Sequence, residues 1–234
     1  MKKKYIYIGA GLLLFLLLFY GTYELASSRT FQLFGGLTDQ VETKEKVVAL
    51  TFDDGPSENV KEILPLLDQY KVKATFFLIG QDIEQHPDEA KQMVAAGHQI
   101  GNHTYSHKRM VFKSPSYIKE ELENTDQLIR EAGYKDVIDF RPPYGKKLIG
   151  LPYYLNRLNK ETITWNLEPD SFYSTAADKI NYIEENIEPG SIILLHPMYA
   201  DADEVLETIE GVIQSLQQKG YTFVTVDELQ SIES

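Results

Sequence analysis

The sequence predicts an α/β fold, a (β/α) barrel of about seven parallel strands, behind a single N-terminal helix that crosses a membrane. Three observations carry this. Beyond residue 46, seven apolar, β-branched runs alternate with six helical patterns. Five clusters of polar residues sit at the C-terminal ends of those runs, and residues 5–23 carry no charge at all.

Lys2, Lys3 and Lys4 make residues 1–4 a basic segment. The uncharged stretch from Tyr5 to Tyr23 has 19 residues, long enough to cross a bilayer core as one helix. A cleaved signal usually has an apolar region of only about 7–15 residues, so we read residues 5–23 as a transmembrane signal-anchor. Its rival is a signal peptide cut after Ala26-Ser27-Ser28, which would release a secreted protein. Lysines before the span and almost no positive charge just after it put the N-terminus inside and the remainder on the extracytoplasmic side of the cell membrane. Residues 24–45 read as a polar tether containing "FQLFGG", and residues 46–234 as one domain with a single core.

Within that domain the expected strands are "VVALTF", "ATFFLIG", "HQIGNH", "VIDFRPPY", "TITWN", "SIILLH" and "YTFVTV". Helical patterns begin near Ser57, Pro87, Ser116, Lys147, Ala176 and Asp203. "DDG" follows the first strand, "HTYSH" the third, "RPPYG" the fourth, "WNLEPD" the fifth and "HP" the sixth. On its own, Asp53-Asp54-Gly55-Pro56 is ordinary turn chemistry. In a βα barrel, however, the C-terminal edge is where side chains from separate strands converge on one pocket, and turn chemistry alone would not sort five clusters onto one edge.

Charge and composition narrow the chemistry. The net charge is −12; without the three leading lysines, 20 basic residues face 35 acidic ones, or −15. Such a domain is a poor nucleic-acid binder and would not cling to anionic lipid. There is no cysteine, so any metal must be held by His and carboxylate. His103, His107 and His196 lie at strand ends, whereas His86 and His98 do not, and the four-residue spacing of His103 and His107 puts both imidazoles on one side of a helical turn. Two imidazoles and a carboxylate, with one position open, are the usual form of a catalytic divalent-metal site; Asp54 supplies the carboxylate and leaves Asp53 free.

"TFDDGP", "HTYSH", "RPPYG", "TWNLEPDSF" and "ILLHP" resemble, in order and spacing, the five motifs of the NodB-like polysaccharide deacetylases, carbohydrate esterase family 4. The resemblance covers about residues 46–230. It implies a distorted barrel and a metal-dependent hydrolase that removes N-acetyl groups from an extracytoplasmic glycan by base-assisted attack of metal-bound water. Peptidoglycan is the favoured glycan, with poly-N-acetylglucosamine or chitin oligomers next. It further implies one divalent ion on Asp54, His103 and His107, zinc first, with cobalt, manganese or iron as alternatives. Asp53 would be the general base, Arg141 the partner that orients it, Tyr144 the residue whose backbone N–H holds the oxyanion, His196 the general acid, and Leu194 part of the slot for the acetyl methyl group. In the fourth motif this chain departs from the family. Counted from Trp165, the family places acids three and six residues on; here Glu168 is followed by Ser171, with Asp170 one residue early. Asp170 is the expected support of His196, with Glu168 the alternative. The altered motif also leaves open a catalytically weak or inactive glycan-binding member of the same fold.

Overall fold

The structure, a computed structural model, describes residues 2–232. In chain order the elements are α1 (Lys2–Ser27), β1 (Leu37–Thr38), β2 (Val47–Asp53), α2 (Val60–Gln69), β3 (Thr75–Leu78), α3 (Gly80–Gln85), α4 (Pro87–Ala95), β4 (Gln99–Asn102), α5 (Pro115–Glu131), α6 (Gly150–Arg157), β5 (Thr162–Ile163), α7 (Ala176–Asn186), β6 (Ile192–Leu195), α8 (Ala202–Gln218), β7 (Thr222–Val224) and α9 (Val226–Gln230).

All seven residues of β2 are buried, as a continuous apolar run on a central parallel strand requires. It pairs in parallel with β3, β6 and β7, and β3 pairs with β4. Single parallel bridges continue the curve, Asn102 with Phe140, Phe140 with Thr162 and Leu167 with Ile193. The result is a distorted, incomplete barrel whose C-terminal edge carries the polar clusters. Helices cover the outside and bury their apolar stripes: α8, capped by the Asp201 carboxylate, turns Val205, Ile209, Val212 and Leu216 inward.

Four expectations need correction. "VIDFRPPY" forms no strand; Phe140 contributes two isolated bridges, one to Asn102 and one to Thr162, and Pro142 and Pro143 lack the N–H groups a ladder needs. The stretch read as a polar tether from residue 24 to 45 is laid along the domain, with Leu37–Thr38 pairing to β5 and the Val41 N–H donating to the Gly190 carbonyl at 3.0 Å. The apolar helix runs on past Tyr23 to Ser27. Short helices α3 and α9 were not expected; α9 is started by a capping box between Thr225 and Glu228.

The segment Tyr7–Ser27 is long and apolar enough to cross a membrane, with a mean hydropathy of 1.7. Its C-terminal end is seated on the domain. The Lys147 N–H donates to the Ala26 carbonyl at 3.0 Å, the Lys147 ammonium donates to the Ser28 carbonyl, and Thr164 Oγ1 donates to the Arg29 carbonyl at 2.6 Å. Lys147 is buried there, and burial pushes its pKa down to about 8 despite nearby Asp39.

Candidate active site

The end of β2 delivers two acids to different places. Asp53 is the last strand residue and points into the barrel, 2% exposed. Asp54 follows in the left-handed region at φ 71°, which turns its carboxylate away from that of its neighbour.

Asp53 is held from behind. Arg141 is fully buried, and its Nη1 donates to Asp53 Oδ1 at 2.6 Å and to Thr51 Oγ1 at 2.8 Å. Nη2 donates to the Thr164 carbonyl at 3.0 Å and Nε to the Ile163 carbonyl at 3.3 Å, while the guanidinium lies 4.0 Å from the Phe77 ring centre. Such a charge-assisted bond between buried partners fixes one carboxylate oxygen and leaves the other free to face the site.

Asp54 has the opposite surroundings. Its Oδ1 is buried without a hydrogen-bond partner among the described residues, yet lies 3.3 Å from His107 Nε2 and 3.8 Å from His103 Nε2. His103 Nδ1 is 2.8 Å from the Arg141 carbonyl, which can only accept, so Nδ1 carries the proton and Nε2 presents its lone pair toward Asp54. Burial lowers the His103 pKa, favouring the neutral ligand form over the attraction of Asp53 and Asp54. An orphaned carboxylate oxygen facing two imidazole nitrogens fits a divalent cation, and this donor set suits zinc, cobalt, manganese or iron.

The segment 103–107 is a non-helical loop, not the helical turn its spacing suggests: Thr104 and His107 both adopt positive φ, 68° and 53°. Side chains hold this loop. Asn102 Oδ1 accepts from the Thr104 N–H at 2.8 Å, Thr104 Oγ1 from the His107 N–H at 3.1 Å, and Glu121 Oε2 from the N–H groups of Tyr105 and Ser106 at 3.0 and 2.9 Å. Glu121 escaped the sequence reading. Its signal was an acid on the buried stripe of α5 beside Ile118, Leu122 and Thr125, where a carboxylate needs donors.

Tyr144 also has positive φ, 59°, and its ring lies 4.8 Å from that of His107, with the Arg109 guanidinium 5.1 Å from its ring centre. Across the site, Asp170 Oδ2 accepts from the His196 backbone N–H at 2.7 Å and lies 3.2 Å from His196 Nδ1, while Asp170 Oδ1 is 3.1 Å from Lys179 Nζ. Glu168 is used otherwise, accepting the Ser171 N–H at 2.9 Å. Burial pushes the His196 pKa down, but the hydrogen bond to Asp170 and the field of Asp53 and Asp54 outweigh it and raise it to about 9. Leu194 is fully buried beneath the site in a cluster with Phe77, Ile163 and Trp165. The structure therefore brings Asp53, Asp54, His103, His107, Arg141 and Tyr144 into one connected group, and pairs Asp170 with His196 on strand β6's edge.

Residues 40–164 match the polysaccharide deacetylase family. A peptidoglycan-N-acetylglucosamine deacetylase of Bacillus cereus is 32% identical over 199 residues, spanning 83% of this chain and 93% of that protein. Among solved structures, a peptidoglycan N-acetylglucosamine deacetylase superposes with a TM-score of 0.77 at 30% identity, over 82% of this chain and 91% of the other. A pseudoenzyme of carbohydrate esterase family 4 from Bacillus anthracis gives 0.75 at 28% identity, over 82% and 67%.

Proposed function

This chain belongs to the polysaccharide deacetylase family, and from that premise we propose that it removes N-acetyl groups from peptidoglycan, anchored by α1 with its domain outside the cytoplasmic membrane. The observation that carries the reading is the division of the two acids at the end of β2, Asp54 orphaned before two imidazoles and Asp53 pinned by Arg141.

A divalent ion held by Asp54, His103 and His107 would supply Lewis acidity, acidifying water and offsetting charge on the substrate carbonyl oxygen. Asp53 takes the proton of the attacking water at Oδ2, the oxygen that Arg141 leaves unbonded. Arg141 keeps its charge throughout and holds Asp53 in position. The Tyr144 backbone N–H faces the oxyanion, and the left-handed turn at that residue supports this orientation. His196, its imidazolium favoured by Asp170, gives a proton to the departing amine, so that amide and water leave as acetate and a free amino sugar. Leu194, fully buried, would support the acetyl slot only from beneath.

A binding-only protein is the alternative, supported by the altered fourth motif and by the pseudoenzyme among the structural neighbours. Against it, Asp170 reaches His196 despite its shifted position. Acetate release from peptidoglycan, poly-N-acetylglucosamine and chitin oligomers, with and without prior chelation, tests the reading. Release greatest from peptidoglycan, abolished by chelator and restored by added metal, is expected; activity that survives verified metal removal, or no release from any glycan, overturns it.

A further inference from the structure

The charge of this acidic chain is unevenly spread. No Asp or Glu occurs from Ala90 to Lys119 or from Phe140 to Lys160, although these stretches contain ten Lys and Arg residues. Their loops meet beside α1. A groove of about 630 Å³ lies between Phe15, Phe19 and Tyr23 on the helix and Arg109, Val111 and Phe112 on the loop that follows the second histidine. Lys146 Nζ closes its upper end, 4.6 Å from the Tyr23 ring.

Phe112 is the tip of this loop, 83% exposed and held outward at φ 55°. A single exposed aromatic is unremarkable. Here, however, it flanks a helix apolar enough to span a bilayer and is bracketed by exposed Lys108 and Arg109 and half-buried Lys113, whose backbone lies near Gly150, the neighbour of exposed Ile149. At about 1.5 Å per residue, the groove's far end at Phe15 lies about 18 Å along the helix from Ser27, so the loop runs beside the outer half of the span.

We propose that residues 108–113 form a second membrane contact, in which Val111 and Phe112 enter the outer leaflet and Lys108, Arg109 and Lys113 engage anionic lipid headgroups. The proposal rests on α1 being a membrane anchor. It reverses, for one face only, the repulsion expected from the net charge. Because Arg109 lies over Tyr144 and Tyr144 packs on His107, the inserted loop holds the candidate metal ligands close to the lipid surface.

The test uses the full chain in vesicles containing phosphatidylglycerol brominated on the acyl chains, its intact mass verified. Trp165, the one natural tryptophan, is buried and gives a constant background. Phe15→Trp reports on the anchor, and Phe112→Trp on the loop, with Val111→Trp as a second loop reporter. Loss of most of the added emission, with a blue shift, is expected for all three, and adding Lys108→Gln and Lys113→Gln should weaken quenching at the loop alone. Quenching of Phe15→Trp with neither loop reporter quenched overturns the loop contact and leaves the anchor standing. No quenching of Phe15→Trp overturns the anchor and this inference with it.

Discussion

Replacing Arg141 by Met should separate the energetics of the buried pair from metal binding. Methionine keeps much of the side-chain length but none of the donors. Asp53, 2% exposed, would be stranded without its counter-charge, and the carbonyls of Ile163 and Thr164 would lose their guanidinium donors. Breaking one side of a buried pair costs about 3–5 kcal/mol. At about 2–4 °C per kcal/mol for a domain of this size, Tm should fall by about 6–20 °C. Asp53→Asn alone strands the guanidinium and is also destabilising, so the double variant should lose less than the sum of the two, by about 1–3 kcal/mol. Thermal unfolding of the four proteins in detergent measures this. Metal content should persist in Arg141→Met, because His103 is oriented by the backbone carbonyl of residue 141 and not by its side chain. Strict additivity, or loss of metal without loss of stability, would refute the reasoning.

The two acids at the end of β2 should part company on substitution. Asp53→Asn is expected to keep its metal while losing about 100- to 10,000-fold in kcat, whereas Asp54→Asn should lose both, with metal content read beside acetate release. Asp170→Asn removes the bond that raises His196, so the general acid gives up its proton at lower pH; the alkaline limb of the kcat profile should move down by about 1–2 pH units. His98, whose pKa burial lowers to about 4 and whose Nδ1 accepts the Ala74 N–H, stays neutral in the fold. Its folded value lies below the unfolded 6.5, so its contribution is complete above pH 6.5 and is lost as pH falls toward 4, a loss of about 3 kcal/mol. Asp139, raised by burial to about 8, binds its proton more tightly in the fold and adds stability as pH falls through that range. Comparison of wild type with His98→Gln isolates the histidine; parallel acid-unfolding profiles would contradict its assignment.

What the sequence made visible was whatever local pattern determines. The run from Val47 to Phe52 can only be a central strand, and placing the polar clusters after successive strands put Asp54, His103 and His107 together before any coordinates. Non-local pairing was hidden. Leu37 and Thr38 look like tether until β5, more than a hundred residues later, supplies a neighbour. "VIDF" is as apolar and β-branched as a true strand, and only the restriction of its pairing to isolated bridges at Phe140 and the prolines beyond distinguish it. Asp170 and Glu168 were both within reach of His196 by counting, and both carboxylates do lie beside it; only the chain's path gives Asp170 the His196 N–H and Glu168 the Ser171 N–H. Glu121 was hidden for another reason: two of its three donors are the backbone N–H groups of Tyr105 and Ser106, which carry no residue signature, and the third is the Ser106 hydroxyl.

The left-handed residues around the site set selection against itself. Asp54, Thr104, His107 and Tyr144 each hold a backbone conformation that costs a non-glycine residue on the order of 1 kcal/mol or more. Glycine or asparagine at position 54 would relieve the backbone while discarding a candidate ligand. Mutations that silence such a centre can therefore make the protein sturdier. Thr104 is kept in part by the loop, since its hydroxyl accepts the His107 N–H, whereas at Asp54 and His107 only the demand for the proposed reaction would hold the side chain in place. Should that demand lapse in a lineage, the drift would run downhill toward a better-folded, idle barrel, and a screen for thermostability alone should enrich for the same inactive variants.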